Sequence, residues 1–201
     1  MAKWDFLLAG VGGQGTILAG DILSSVGLRA GYEVKKSEVH GMAQRGGSVT
    51  TSVRWADEVH SPLIAPGEAD VLLAFEKLEA LRYVDMVHPD AIVLVNDYAI
   101  PPLSVSSGQD KYPNDEVLQN AFASLTEHYY LLPASSMAEE LGQARVNNVV
   151  MLGALSYWMP DIPASAWLQA VRQRVPVRLA ELNEQAFLRG FDYITAHHRA
   201  S

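Results

Sequence analysis

The chain has 201 residues, 49% hydrophobic and 19% charged, with no cysteine and a formal net charge of −8; this is the length of one large domain, taken to span residues 1–201. Without a thiol it cannot ligate an iron–sulfur cluster, build a cysteine zinc site or use a cysteine nucleophile, and its acidity argues against nucleic acid as a partner. No apolar run is long enough to cross a membrane and the start lacks a secretory signal's apolar stretch, so the expected location is cytoplasmic.

Trp4–Val11 (WDFLLAGV) is a short apolar run stopped by glycines, which predicts a buried parallel strand. Gly10, Gly12, Gly13, Gln14 and Gly15 then lead into a helix over 16–30, with Ile17, Leu18, Ile22, Leu23 and Val26 at helical spacing and Gly31 as its C-cap. Residues 33–39 predict a second strand, polar enough for a sheet edge. Residues 48–55 alternate Val49, Thr51, Val53 and Trp55 with polar neighbours, the mark of a half-buried strand. Runs at 70–75, 91–96 and 129–132 predict further strands, with a helix over 76–87. Residues 101–115, rich in Pro, Ser, Gly and Asp, predict a surface loop. After Pro133 the pattern turns helical: 137–141 capped by Ser135 or Ser136, then 146–159, 164–174 and 178–197. The sum is an α/β domain, a three-layer α/β/α sandwich on a mostly parallel or mixed sheet, with a Rossmann-like start and a helical C-terminal third.

Gly10, Gly12 and Gly15 fit the G-x-G-x-x-G pattern between a strand and a helix, where glycines let backbone N–H groups approach an anion at the helix N-terminus. The acidic residue that would hold a ribose is misplaced: Glu33 starts the second strand and Lys35 and Lys36 follow it. NAD or FAD binding is therefore disfavoured, which leaves a phosphate contact or a structural turn. The second cluster comprises Ser37, Glu38, His40, Gly41, Met42, Gln44, Arg45, Gly46 and Gly47. Arg45 could fork onto a carboxylate or phosphate, and His40 could donate or titrate near neutral pH. Equally, Arg45 could pair with Glu38 on a rim loop whose glycines only make turns.

The two stretches GVGGQG and SEVHGMAQRGGSV, in that order, resemble the gamma module of 2-oxoacid:ferredoxin oxidoreductases, and the SEVHGMAQRGG form looks like the indolepyruvate branch. Asn147 and Asn148 with Gly153, and Leu182, Asn183, Ala186, Phe187 and Gly190, are similar to later family signatures, so the resemblance spans nearly the whole chain. It implies a non-autonomous subunit in the oxidative decarboxylation of aryl 2-oxoacids to acyl-CoA, with coenzyme A as substrate and ferredoxin reduced through the complex. Thiamine diphosphate, Mg and the iron–sulfur clusters are implied to lie in an alpha-type partner, leaving this chain without a catalytic or metal-binding residue of its own. Gly12–Gly15 and the helix after them are implied to meet phosphate, and His40, Gln44 and Arg45 to line the channel or the subunit interface. The resemblance also admits a homodimer of the isolated chain. The alternatives are a stand-alone CoA- or nucleotide-binding regulatory module and, less well supported, a self-sufficient NAD-dependent dehydrogenase.

Other residues read as structural. His60 and His88 have no partner at metal or triad spacing. Asp57 and Glu58 suit a solvated turn, Glu76, Lys77 and Glu79 a helix start, and Glu139 and Glu140 a helix surface. Tyr157, Trp158 and Met159 suit a core or an interface. Asn147 and Asn148 are expected to cap a helix or to reach back towards a ligand.

Overall fold

A computed structural model describes residues 3–41 and 47–198. Its six-stranded sheet has the order β2-β3-β1-β4-β5-β6, with β1 at Trp4–Val11, β2 at Glu33–His40, β3 at Ser48–Ala56, β4 at Ala69–Ala74, β5 at Val87–Asn96 and β6 at Tyr129–Leu132. β1, β4, β5 and β6 run parallel. β3 is antiparallel to both β1 and β2, so the sheet is mixed, and β1 is a parallel strand on one side only. The cause is the short connection between β2 and β3. It cannot hold a crossover, so these strands must form a hairpin. Helix α1 (Thr16–Arg29) therefore carries the chain two strand positions away, and β3 returns into the gap. The polar β2 sits at the edge, as its composition predicts.

Alternation along the strands builds two cores. Phe6, Leu8, Val53, Leu73 and Leu94 face α1, α5 (Ala134–Glu140), α6 (Asn147–Ser156), α7 (Ala164–Arg174) and α8 (Ala180–His198). On the opposite face Leu7, Ala9, Leu72 and Val93 pack under α2 (Lys77–Arg82) and α4 (Asp115–Ala123). The result is the expected three layers with a helical C-terminal third.

Several boundaries move. α2 ends at Arg82, a 3-10 turn follows at Val84–Met86, and β5 begins at Val87. Asp90, with φ of 69°, breaks the regularity of β5 just before its apolar half. The expected 101–115 loop contains a single helical turn, α3 (Leu103–Ser106), and ends where Asn114 caps α4 by accepting from the Val117 N–H at 3.1 Å. The residue capping α1 is Ala30, and Gly31 follows it at φ 90°. The N–H groups of Gly31 and Tyr32 return to the carbonyls of Leu28 and Gly27 at 3.2 and 3.1 Å, a Schellman ending. α5 starts behind Pro133 without a side-chain cap, so neither Ser135 nor Ser136 serves as one.

Two packing features hold the layers. α6 is buried along its whole length and crosses α8 at backbone contact. A Cβ on Gly153 would lie 1.9 Å from the Phe187 carbonyl oxygen, and one on Gly190 would lie 1.9 Å from that of Val150. On the second face, Asp5 is 0% exposed. Arg54 grips it through Nε–Oδ1 at 2.7 Å and Nη2–Oδ2 at 2.9 Å, and also donates to the Leu63 carbonyl at 2.7 Å.

Candidate functional site

Beyond β1 the chain departs over the α1 face, and beyond β4 it departs over the α2 face. The crevice outside the carboxyl ends of these neighbouring parallel strands is the topological switch point, where open α/β sheets leave room for ligands. Gly10–Gly15 lies there. Gln14 closes the base of the crevice: its Oε1 accepts from the Val11 N–H at 2.8 Å and its Nε2 donates to the Phe75 carbonyl at 2.9 Å. That amide is thus occupied in tying the ends of β1 and β4 together. The Gly12 N–H donates to the Gly47 carbonyl at 2.9 Å, which joins the two glycine-rich stretches directly.

Gly15, at φ 82°, occupies the cap position of α1 and brings no side chain to it. The amides of Thr16, Ile17 and Leu18 are consequently left without an intrahelical acceptor or a side-chain cap. They open on a cleft of about 450 Å³ bordered by Gly12, Gly13, Thr16, Asp21 and His40. The Thr16 hydroxyl is buried and has no partner among the described residues. A Cβ on Gly15 would come within 2.4 Å of Asn148 Nδ2, the atom that donates to the Gly15 carbonyl at 3.2 Å.

His40 brings the second motif to the same cleft. Glu38, on the same strand face, bonds Lys36 at 2.6 Å and stands 3.7 Å from His40 Nε2, while Lys36 also bonds Asp21. Ser37 lies on the opposite face, in register with Ser52. The Gly41 N–H donates to the Ser48 carbonyl at 2.9 Å, closing the hairpin below the loop. Met42, Gln44, Arg45 and Gly46 lie outside the described residues.

The two asparagines do not cap. α6 begins behind Val146 without a side-chain cap, and Asn147 and Asn148 are its first helical residues. Asn148 holds α1 as described. Asn147 Nδ2 stands 3.4 Å from Ser135 Oγ, and its Oδ1 is buried without a partner among the described residues. Ser135 in turn exchanges bonds with Asn96, the last residue of β5: its N–H donates to Oδ1 at 3.0 Å and Asn96 Nδ2 donates to its Oγ at 2.8 Å.

Glu76 caps α2, accepting from the Glu79 N–H at 2.9 Å, and also accepts from the Ile100 N–H at 2.8 Å and from the Tyr112 hydroxyl. Glu79 is more than a helix-start residue. It is buried and accepts from the Ser48 hydroxyl at 2.5 Å, with Arg82 Nε at 3.2 Å. It therefore anchors the first residue of β3, next to the junction of the two motifs. Burial raises its pKa, an effect the Ser48 bond and the Arg82 charge only partly offset. An acid whose pKa is raised on folding contributes stability that is full below its unfolded pKa and is lost as pH rises through the folded one. Glu79→Gln is thus expected to melt increasingly above the parent as pH rises from the ordinary carboxylate range through the raised pKa of the folded Glu79 carboxyl. A difference in melting temperature that stays constant with pH would contradict this.

Among the described residues no three His, Asp or Glu side chains come together to hold a metal ion, and no helix is long and apolar enough to cross a membrane. His60 and His88 are exposed, as are Glu139 and Glu140.

Residues 5–193 match the family model described as pyruvate ferredoxin/flavodoxin oxidoreductase. The chain is 38% identical over 190 residues to indolepyruvate oxidoreductase subunit IorB of Thermococcus kodakarensis, covering 93% of this chain and 94% of that one. Among solved structures it is similar to the gamma subunit of a keto/oxoacid ferredoxin oxidoreductase from Geobacter sulfurreducens, with a TM-score of 0.70 at 25% identity, covering 96% of this chain and 99% of that one. It is also similar to 2-oxoglutarate:ferredoxin oxidoreductase from Magnetococcus marinus with 2-oxoglutarate, coenzyme A and succinyl-CoA bound, with a TM-score of 0.72 at 25% identity. That alignment takes in 98% of this chain but 32% of the larger one.

Proposed function

This chain belongs to the pyruvate ferredoxin/flavodoxin oxidoreductase family, and from that premise we propose that it is the non-autonomous subunit of a cytoplasmic 2-oxoacid:ferredoxin oxidoreductase acting on indolepyruvate and related aryl pyruvates. Oxidative decarboxylation with coenzyme A gives the aryl-acetyl-CoA and carbon dioxide, and the electrons pass to ferredoxin. The observation that carries the reading is the junction of the two motifs at the switch point. Uncapped amides of α1, a buried and unpartnered Thr16 hydroxyl and His40 share one cleft there. This donor set suits the phosphates or amides of coenzyme A.

Thiamine diphosphate, Mg and the iron–sulfur clusters are assigned to an alpha-type partner, where they supply the decarboxylation and electron-transfer chemistry when bound. With no cysteine, this chain could not ligate such a cluster itself. Its own residues are assigned to holding coenzyme A and closing the channel between subunits: Gly10, Gly12, Gly13 and Gly15 through the backbone, Ser37, Glu38 and His40 from the end of β2, which are strand residues and not part of a loop, and Gly41, Met42, Gln44, Arg45, Gly46 and Gly47 as the stretch that follows it. Gln14, Asn147 and Asn148 support the cleft from below.

The test is anaerobic reconstitution with the alpha-type subunit, following indolepyruvate- and CoA-dependent reduction of a viologen dye. Activity is expected from the pair and from neither protein alone. Full activity of the alpha-type subunit by itself, or none from an intact complex, would overturn the proposal. Arg45→Ala is expected to lower the activity of the complex with little change in melting temperature, and unchanged activity would remove Arg45 from the site.

A further inference from the structure

The edge strand β2 is eight residues long and none of them is buried. It is bonded on one side to β3 in an uninterrupted register and rests on α1. Its outer side has no strand partner among the described residues, and such a row of N–H and C=O groups is a template for another strand. Natural edges are blunted by proline, by bulges or by repelling charge. β2 has neither proline nor bulge, and its charges cancel, Glu33 and Glu38 against Lys35 and Lys36. Within a chain of net charge −8, this edge is neutral.

Val34 packs on the core beneath α1. Alternation therefore puts Lys36, Glu38 and His40 on that face, and Glu33, Lys35, Ser37 and Val39 on the other. Lys36 bonds Asp21 of α1 and, at 2.6 Å, Glu38. Val39 is 61% exposed.

Two copies paired antiparallel along this edge are related by a two-fold axis normal to the sheet, which keeps each face on its own side. The axis must then pass at a residue, which faces its own copy. An axis at Lys35, Lys36 or Glu38 sets like charges opposite each other, and an axis nearer either end pairs only a few residues. An axis at Ser37 sets two hydroxyls opposite and pairs residues 34–40 of both copies. Each Lys36 then faces Glu38 of the second copy, so four charges alternate in sign around the axis. On the other face each Lys35 lays its apolar stem over Val39 of the second copy.

We infer that β2 is a self-recognition edge: the free chain forms a symmetric dimer by antiparallel β2–β2 pairing about Ser37, which joins two six-stranded sheets into one. The pairing needs neither coenzyme A nor another subunit, so it stands or falls independently of the proposed activity.

The test uses the full chain, by analytical ultracentrifugation and cysteine cross-linking. The chain has no cysteine, so a single introduced thiol can pair only between copies. Ser37→Cys is expected to give a covalent dimer under mild oxidation, because its two copies face each other at about 5 Å between Cβ atoms. Val39→Cys is expected to give none, since an axis at Ser37 holds its two copies four residues apart, about 14 Å. Charge at position 39 supplies a second reading. Facing Lys35, Val39→Lys should weaken the dimer and Val39→Glu should tighten it, each by about twofold to thirtyfold over the two symmetric contacts. Net charge alone demands the reverse order, because Val39→Glu makes each copy more acidic. Position 39 is exposed, so both variants should melt close to the parent.

A parent that stays monomeric at about 100 μM would overturn the inference and leave the edge to a strand of the alpha-type subunit. So would a dimer in which Val39→Cys cross-links and Ser37→Cys does not, or one that Val39→Glu weakens and Val39→Lys tightens.

Discussion

Gly153→Ala is expected to cost roughly 3 kcal/mol or more, the upper part of the range for inserting a methyl group into a filled core. The methyl would lie 1.9 Å from the Phe187 carbonyl oxygen, and its other close neighbours are the Phe187 carbonyl carbon at 2.7 Å and Cα at 3.0 Å. These are backbone atoms in the middle of α8, so no rotamer change can make room and the two helices must separate. The higher helix propensity of alanine returns only about 1 kcal/mol. For a chain near 200 residues such a loss lowers the melting temperature by roughly 6 to 12 °C. Gly190→Ala should behave alike, since it meets the Val150 carbonyl at the same separation. The double variant should lose less than the sum, because either methyl alone already forces the same interface apart. Calorimetry or thermal circular dichroism would read all three. A single variant melting within about a degree of the parent would show that the helices can part at little cost.

Arg54→Ala is expected to be as damaging for an electrostatic reason. Removing the guanidinium leaves Asp5 wholly buried and deprives its carboxylate of both bidentate bonds. Breaking a buried pair from one side costs about 3 to 5 kcal/mol, because the remaining charge stays desolvated. Lys3, at 2.8 Å from Asp5 Oδ2, is half-exposed and covers only one of the two oxygens. Asp5→Asn in the Arg54→Ala background should therefore recover part of the loss by removing the stranded charge. Urea denaturation of the two variants is the measurement. Equal stabilities would mean that Arg54 acts through its packing and its bond to Leu63 rather than through the charge of Asp5.

The strands were legible because each central one is apolar on both faces, and β3 because its alternation survives against a helix on one side. Its direction was not legible. The residues Val49–Trp55 alternate identically in a parallel or antiparallel ladder, and only the shortness of the connection to β2 decides between them. α4 escaped notice because just two of its residues, Leu118 and Phe122, are buried, too few to show a period within a polar stretch. At the site, the glycine motif could be read because close backbone approach demands glycine. Glu79 and Ser48 could not, being 31 positions apart; the burial that gives their contact its meaning is created by tertiary packing. Asn147 and Asn148 were recognisable as unusual amides in an apolar helix, but their partners Ser135 and Gly15 depend on how α6 docks.

The hairpin between β2 and β3 separates the evolution of the loop from that of the sheet. His40 is matched to Val49 and Glu33 to Ala56 at the two ends of one uninterrupted register, and Gly41 is bonded to Ser48 just below the tip. The ladder therefore fixes where the segment starts and stops, whatever residues fill it. Closing a longer tip costs only about 0.6 kcal/mol for each doubling of its length, so insertions and exchanges there leave strand register and core intact. A scaffold of this kind can diversify its recognition of substrates or partner chains by rewriting a handful of codons between two fixed anchor points, while the layers beneath stay under a separate selection for packing.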